Sequence, residues 1–250
     1  MSEVRLVVQG DDFGMCHAVN TGVVTAFGDG ILTQVSTMVA CPWFDEAAEL
    51  AAAHGIPAGM HSTLTCEWDY LRWKPLTAGP SLRGSDGTFR RTVRAAAEAV
   101  VVEEAIEELV AQAEKFLATG LTLTHFDTHM GRVCIPAYEE VCRRFDRRFI
   151  YEGVEPNFGF DSVRTLSERE ADQKKGWLLH RLEKLEPGNH LIVTHVATPG
   201  EELRSITGPQ SPVVRWAEEY RKSDLETITD PDVRRRIDDL GIKLVSVAEL

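Results

Sequence analysis

The chain has 250 residues, 43% of them hydrophobic, which is enough for one large core. Its 27 lysines and arginines against 39 aspartates and glutamates leave a formal net charge of -12, which argues against nucleic acid or an anionic membrane surface as a partner and favours a neutral or cationic small molecule. The 5 cysteines, Cys16, Cys41, Cys66, Cys134 and Cys142, are never spaced as CxxC, so neither a disulfide framework nor a zinc knuckle is indicated and reduced thiols are expected.

Met1 to Arg5 shows no basic segment followed by an apolar stretch, and no apolar run approaches the roughly 20 residues of a membrane span. A cytoplasmic, unprocessed chain forming a single domain over 1–250 is the expectation. Strand patterns follow at Val4 to Gln9, Leu32 to Ala40, Ala58 to Thr63, Leu121 to Asp127, Phe149 to Glu152, Leu191 to His195 and Ile242 to Val247. Between them, residues 17 to 27 place Val19, Val23, Ala26 and Phe27 on one helical face, and residues 103 to 119 do the same with Ile106, Val110, Ala113 and Leu117. Helices are also predicted over 136 to 148, opening with Pro136, and over 167 to 185, where Ser167 and Glu170 read as a capping box. Strand and helix in alternation predict a parallel sheet. About seven strands with no GxGxxG after the first favour an α/β fold of the distorted (β/α) TIM-like barrel type over an open dinucleotide-binding sheet.

One segment breaks the rhythm. From Cys66 to Ala95 the chain reads "CEWDYLRWKPLTAGPSLRGSDGTFRRTVRA", rich in turn formers, with Trp68, Tyr70, Trp73 and Phe89 irregularly spaced. A loop this long is usually functional. Here it leaves the third strand on the side where barrels carry their chemistry.

The polar residues at the ends of the strands make a pattern that composition does not show. The first strand runs into Asp11 and Asp12, the third into His61, the fourth into His125, Asp127 and His129, and a late one into His195. In a parallel barrel these ends converge on one face. A lone aspartate here is more often a helix cap, and a lone strand histidine is more often structural. Asp12, His61 and His125 taken together make a two-histidine, one-carboxylate set suited to a divalent ion with open positions. His125, Asp127 and His129 alternate with period two, so at least one has a supporting role. His17, His54, His180 and His190 read as surface or capping residues, and Arg143, Arg144, Arg147 and Arg148 as a solvated helix face.

At this point the residues resemble a known family. "GDDFGMCHAVNTGVVTAFGDGILTQVSTMV", "GMHSTLT", "THFDTHMG", "VTHVATPG" and "DLETITDPDVRRRIDDLGIKLVSVAEL" occur in the order in which the YdjC-like carbohydrate deacetylases carry similar motifs. That group includes chitooligosaccharide deacetylase and the hopanoid-biosynthesis deacetylase. The resemblance implies a distorted barrel and a divalent-metal hydrolase, with magnesium or zinc, that removes acetyl groups from N-acetylated sugars. It implies Asp12, His61 and His125 as metal ligands, Asp11 as general base and His195 as a histidine near the acyl site. The chain departs from the family pattern at Gln9 and Gly10, at Ser62 after His61, and at "HMGRVC", which lacks a later histidine.

Amide hydrolysis needs an activated water, a base for its proton, a stabilised oxyanion and an acid for the leaving amine. Asp11 suits the base and a protonated His195 the acid. Trp68 and Trp73 suit stacking on pyranose faces, although by count they suit core packing equally. Asp127, His129 and Arg132 complete the expected substrate contacts. A metal-dependent phosphoesterase or other hydrolase on the same barrel, and a non-catalytic sugar-binding protein, are the alternatives. A carbohydrate is the expected small-molecule partner, with a homodimer open beside a monomer.

Overall fold

The first strand is the hinge of the architecture seen in a computed structural model, which describes residues 3–250. Met1 and Ser2, part of the amino-terminal stretch read above, lie outside those residues. β1 (Val4–Phe13) is joined by β2 (Gln34–Thr37), β3 (Ala58–Ser62), β4 (Leu123–Thr128), β5 (Ser162–Thr165), β6 (Gly188–Thr194) and β7 (Lys243–Leu244) in one seven-stranded sheet of order β4-β3-β2-β1-β6-β5, with β7 also beside β1. Every pairing is parallel.

The connections are helical. They are α1 (His17–Asp29), α2 (Phe44–His54), α3 (Val93–Ala99), α4 (Val102–Leu117), α5 (Ile135–Phe145), α6 (Lys174–Leu182), α7 (Glu201–Ser205), α8 (Val214–Ala217), α9 (Glu219–Ile228) and α10 (Pro231–Asp239). Period two along β1 separates two cores. Leu6 and Val8 join the large cluster beneath the helices, whereas Val7 packs with Leu191, Val193, Ile150 and Phe160 inside the curled sheet. The fold is therefore the expected distorted (β/α) barrel. At the β4 edge the sheet is extended, among the described residues, by single bridges, Phe126 with Phe149 and Phe149 with Asn157.

Several elements differ from expectation, among them the last strand, read over 242–247 and contracted to Lys243–Leu244. The strand read over 149–152 is reduced to those bridges beside β4, and an unexpected strand, β5, whose four residues "SVRT" show no apolar alternation, forms the opposite edge beside β6. The strand read over 32–40 contracts to Gln34–Thr37. The helix read from Ser167 starts only at Lys174, because the Ser167 hydroxyl turns inward to Asp224 and His195 instead of capping a helix.

The segment after β3 is fastened down despite its lack of regular structure. Glu108 of α4 is fully buried and accepts from the backbone N–H groups of Leu76 at 3.0 Å and Thr77 at 2.8 Å and from the Thr77 hydroxyl at 2.7 Å. Arg72 donates to the carbonyls of Cys66, Trp68 and Phe89. Charge-assisted bonds of this kind hold a loop more firmly than neutral ones.

Candidate active site

Two consecutive residues of an ideal strand point to opposite faces, yet Asp11 and Asp12 are both buried in one cluster. The backbone explains this. Asp12 has φ 67, and the register of β1 against β2 breaks between Gly10 and Phe13. Aspartate is among the few side chains that visit this left-handed region readily.

Asp12 is the hub. Its Oδ1 lies 3.3 Å from His61 Nε2 and 3.1 Å from His129 Nδ1, while Arg221 donates to Oδ2 at 2.6 Å. His61, at the end of β3, uses its other nitrogen: Nδ1 is 2.8 Å from Asp127 Oδ1. Asp127 also accepts from Ser36 and, at 2.7 Å, from Gln9 Nε2, so both its oxygens are occupied. The same Gln9 amide nitrogen donates to Asp11 Oδ1 at 2.8 Å, and Gln34 donates to Gln9 Oε1 at 2.7 Å. The His129 Nε2 atom is 2.9 Å from Glu67 Oε2, the carboxylate that opens the irregular segment.

One donor atom each from Asp12, His61 and His129 lie within 4.8 Å of one another, and all three residues are buried. Two imidazole nitrogens and a carboxylate oxygen so placed fit a divalent ion, and Asp127 behind His61 is the carboxylate partner that metal-bound imidazoles commonly have. The structure brings His129, not His125, to Asp12 and His61. A break in the β3–β4 register between Ala58 and Met60 displaces His125, whose ring packs over Gly59. A Cβ on Gly59 would be 2.3 Å from His125 Cε1. His125 Nδ1 meets Thr124 Oγ1 at 2.9 Å, and its buried Nε2 has no partner among the described residues.

Asp11 faces the last of the strand-end histidines. His195 Nε2 is 3.9 Å from Asp11 Oδ2, and His195 Nδ1 is 2.9 Å from Ser167 Oγ.

Charge states follow from burial and neighbours. Burial, reinforced by Asp127 and Asp12, pushes the Asp11 carboxyl up to about 8 against the pull of His61. Burial alone would raise Asp12 too, but the Arg221 guanidinium and the histidines outweigh it and hold that carboxyl well below its ordinary value. Burial pushes His195 down to about 3, with Arg221, His61 and His129 acting in the same direction and Asp12 opposing. Burial thus favours the neutral imidazole of His195 before any proton reaches it.

These groups line a cavity of about 880 Å³. The aromatic expectation changes here. Trp73 is 2% exposed, sits edge-on to His129 at 5.8 Å, donates to the Thr65 carbonyl at 2.8 Å and does not line the cavity. Trp68 does line it but is 1% exposed, with its indole N–H on Met15 Sδ at 3.2 Å. Neither offers a free stacking face. Trp216, half-buried on α8, lines the cavity and meets His195 edge-on at 5.4 Å. Arg132 stands exposed on the same cavity and donates to the Glu152 carbonyl. Asp127 has both oxygens engaged by Gln9, Ser36 and His61, and does not line the cavity.

Sequence reasoning missed Glu67, Arg221, Ser167 and Trp216. Glu67 had a signal, since it lies just beyond a strand-end histidine. Arg221 had none, standing 209 residues from its partner Asp12.

Three comparisons bear on this arrangement. The family model described as YdjC-like protein matches residues 5–239. A chitooligosaccharide deacetylase of Yersinia enterocolitica is 29% identical over an alignment covering 99% of both chains. A carbohydrate deacetylase of Brevibacillus brevis is 39% identical over 128 residues, a stretch that is 50% of this chain and 49% of that relative. Among solved structures, a protein of Enterococcus faecalis V583 provisionally assigned to cellobiose-phosphate cleavage superimposes with a TM-score of 0.86 at 22% identity, covering 99% of each chain. That last likeness is one of fold.

Proposed function

The chain belongs to the YdjC-like protein family, and on that premise we propose that it is a divalent-metal-dependent hydrolase that removes the acetyl group from N-acetylated sugars or oligosaccharides. The carrying observation is the buried convergence of Asp12, His61 and His129 beside Asp11, with His195 across from Asp11. We assign the metal to those three residues and leave His125 as a packed interior histidine. Zinc suits the two imidazoles and magnesium the carboxylate, and either supplies a Lewis acid that polarises the acetyl carbonyl and acidifies a water, to a pKa of about 7 with zinc.

The rest is the chain's own work. Arg221 on Asp12 Oδ2 and Asp127 on His61 Nδ1 orient both groups toward the common point. Gln9 holds Asp11 Oδ1 and leaves Oδ2 toward His195; in its ionised form, which a cation held beside it would favour against the rise that burial imposes, Oδ2 takes the water's proton. That proton passes from Asp11 Oδ2 to His195 Nε2, which faces it, and from there to the departing sugar amine, which returns both groups to their starting states. Acetate and the free amine are the products. Trp216, half-buried on the cavity wall, is an aromatic group positioned to meet a sugar ring. The activity resides in one domain across the chain, with 66–95 as an inserted segment beside the site.

No helix among the described residues is long and apolar enough to cross a membrane. Five free, buried cysteines support a reducing, cytoplasmic setting. Phosphoester hydrolysis is the second reading, favoured by Arg132 and Arg164 on the same cavity. Incubation with N-acetylglucosamine oligomers and added Zn²⁺ or Mg²⁺ tests both. Metal-dependent release of equal amounts of acetate and free amine is expected. Phosphate release from sugar phosphates with no acetate from any oligomer would overturn the deacetylase reading.

A further inference from the structure

Behind His195 runs a line of buried groups that the hydrolysis described above does not use. His195 Nδ1 is 2.9 Å from Ser167 Oγ, the Ser167 hydroxyl contacts Asp224 Oδ2, and Lys174 Nζ is 2.6 Å from Asp224 Oδ1. Ser167, Lys174 and Asp224 are all fully buried. They come from three places: the turn after β5, the first residue of α6 and the middle of α9. Lys174 also donates to the Tyr220 carbonyl at 2.9 Å, and Asp224 Oδ2 also accepts the backbone N–H of His195 at 2.8 Å.

The far end of this line dictates its polarity. An ammonium only donates and a carboxylate only accepts. Asp224, facing Lys174 and a backbone N–H, is therefore the acceptor for the single hydroxyl proton of Ser167. That leaves only lone pairs on Ser167 Oγ toward His195, so Nδ1 must be the nitrogen that carries the imidazole proton. Nε2 is then bare, and it is the atom that faces Asp11 Oδ2 at 3.9 Å.

We propose that Ser167, backed by the buried Asp224–Lys174 pair, is a positioning residue that fixes His195 in the Nδ1–H tautomer and so presents Nε2 as a proton acceptor. The use of that acceptor in deacetylation rests on the reading under Proposed function, whereas the tautomer itself does not. A buried ion pair is a weak stabiliser, because desolvation offsets most of the attraction. Its effect here is directional. Without the serine hydroxyl, Nδ1 loses its acceptor and the imidazole is free to carry its proton on Nε2, where it cannot accept another. Loss of the correct tautomer in a catalytic histidine is known to slow turnover far more than it disturbs structure.

Nitrogen NMR of the full-length protein labelled at histidine, with the His195 signals identified by their loss in His195→Gln, reads the tautomer directly near neutral pH. The wild-type protein should show His195 protonated at Nδ1 and bare at Nε2. In Ser167→Ala the His195 pattern should shift toward Nε2–H, and kcat for acetate release should fall about tenfold or more with KM changed by less than about twofold. Ser167→Thr, which keeps the hydroxyl, should restore the wild-type pattern and most of the rate. A wild-type His195 protonated at Nε2 would overturn the proposal without recourse to any variant, and so would an unchanged pattern in folded Ser167→Ala. If no variant releases acetate but the tautomer shifts as described, Ser167 keeps its role and the deacetylase reading falls.

Discussion

Asp12 owes its place in the cluster to a backbone angle as much as to its carboxylate. A tandem aspartate at a strand end was legible as a site in the sequence, but the φ of 67 that turns both side chains inward was not. The same limit separates His125 from His129. With an ideal period of two they are equivalent, and only the register break between Ala58 and Met60 displaces one and leaves the other beside Asp12. The difference is measurable. His129→Ala should weaken divalent-metal binding by titration calorimetry at least as much as the roughly ten- to hundredfold seen on losing a supporting partner. His125→Gln should leave affinity within about threefold while lowering thermal stability, since its ring fills the space that Gly59 leaves open. The reverse ranking would return the ligand role to His125.

At the scale of elements, the segment carrying His195 is held by its contact with α1. Thr198 donates its backbone N–H to the Ala18 carbonyl at 2.8 Å, and Gly22 lies so close that an added Cβ would be 2.5 Å from Ala197 Cα. Gly22→Ala improves helix propensity by about 1 kcal/mol, so any loss must come from pushing that segment away. Turnover should therefore fall several-fold or more, out of proportion to any change in Tm. Unchanged kcat in a folded Gly22→Ala protein would show that the segment yields without moving His195. The helix boundaries show why such couplings were hard to read. Ser167 and Glu170 satisfy a capping-box pattern, which is local, whereas the partner that claims the serine hydroxyl is 57 residues away. The short edge strand β5 was missed for a related reason: it is only partly buried, so no alternation is imposed on its four residues.

Across the whole molecule, the parallel sheet and its strand-end chemistry were readable because alternating apolar and helical periods leave few topologies, and those topologies gather strand ends on one face. The cavity walls were not. Trp68 and Trp73 drew attention by type, yet both are buried and only Trp68 of the two reaches the cavity, whereas Trp216 on a short helix meets it half-buried. Composition cannot distinguish a packed indole from a presented one. The central claim is that Asp11 serves as base beside a metal held by other residues. Asp11→Asn, assayed for bound metal by elemental analysis and for acetate release from N-acetylglucosamine oligomers in the same preparation, tests it most directly. Metal content near wild type with kcat lowered by about a hundredfold or more is expected. Near-normal acetate release from the metal-loaded variant would contradict it.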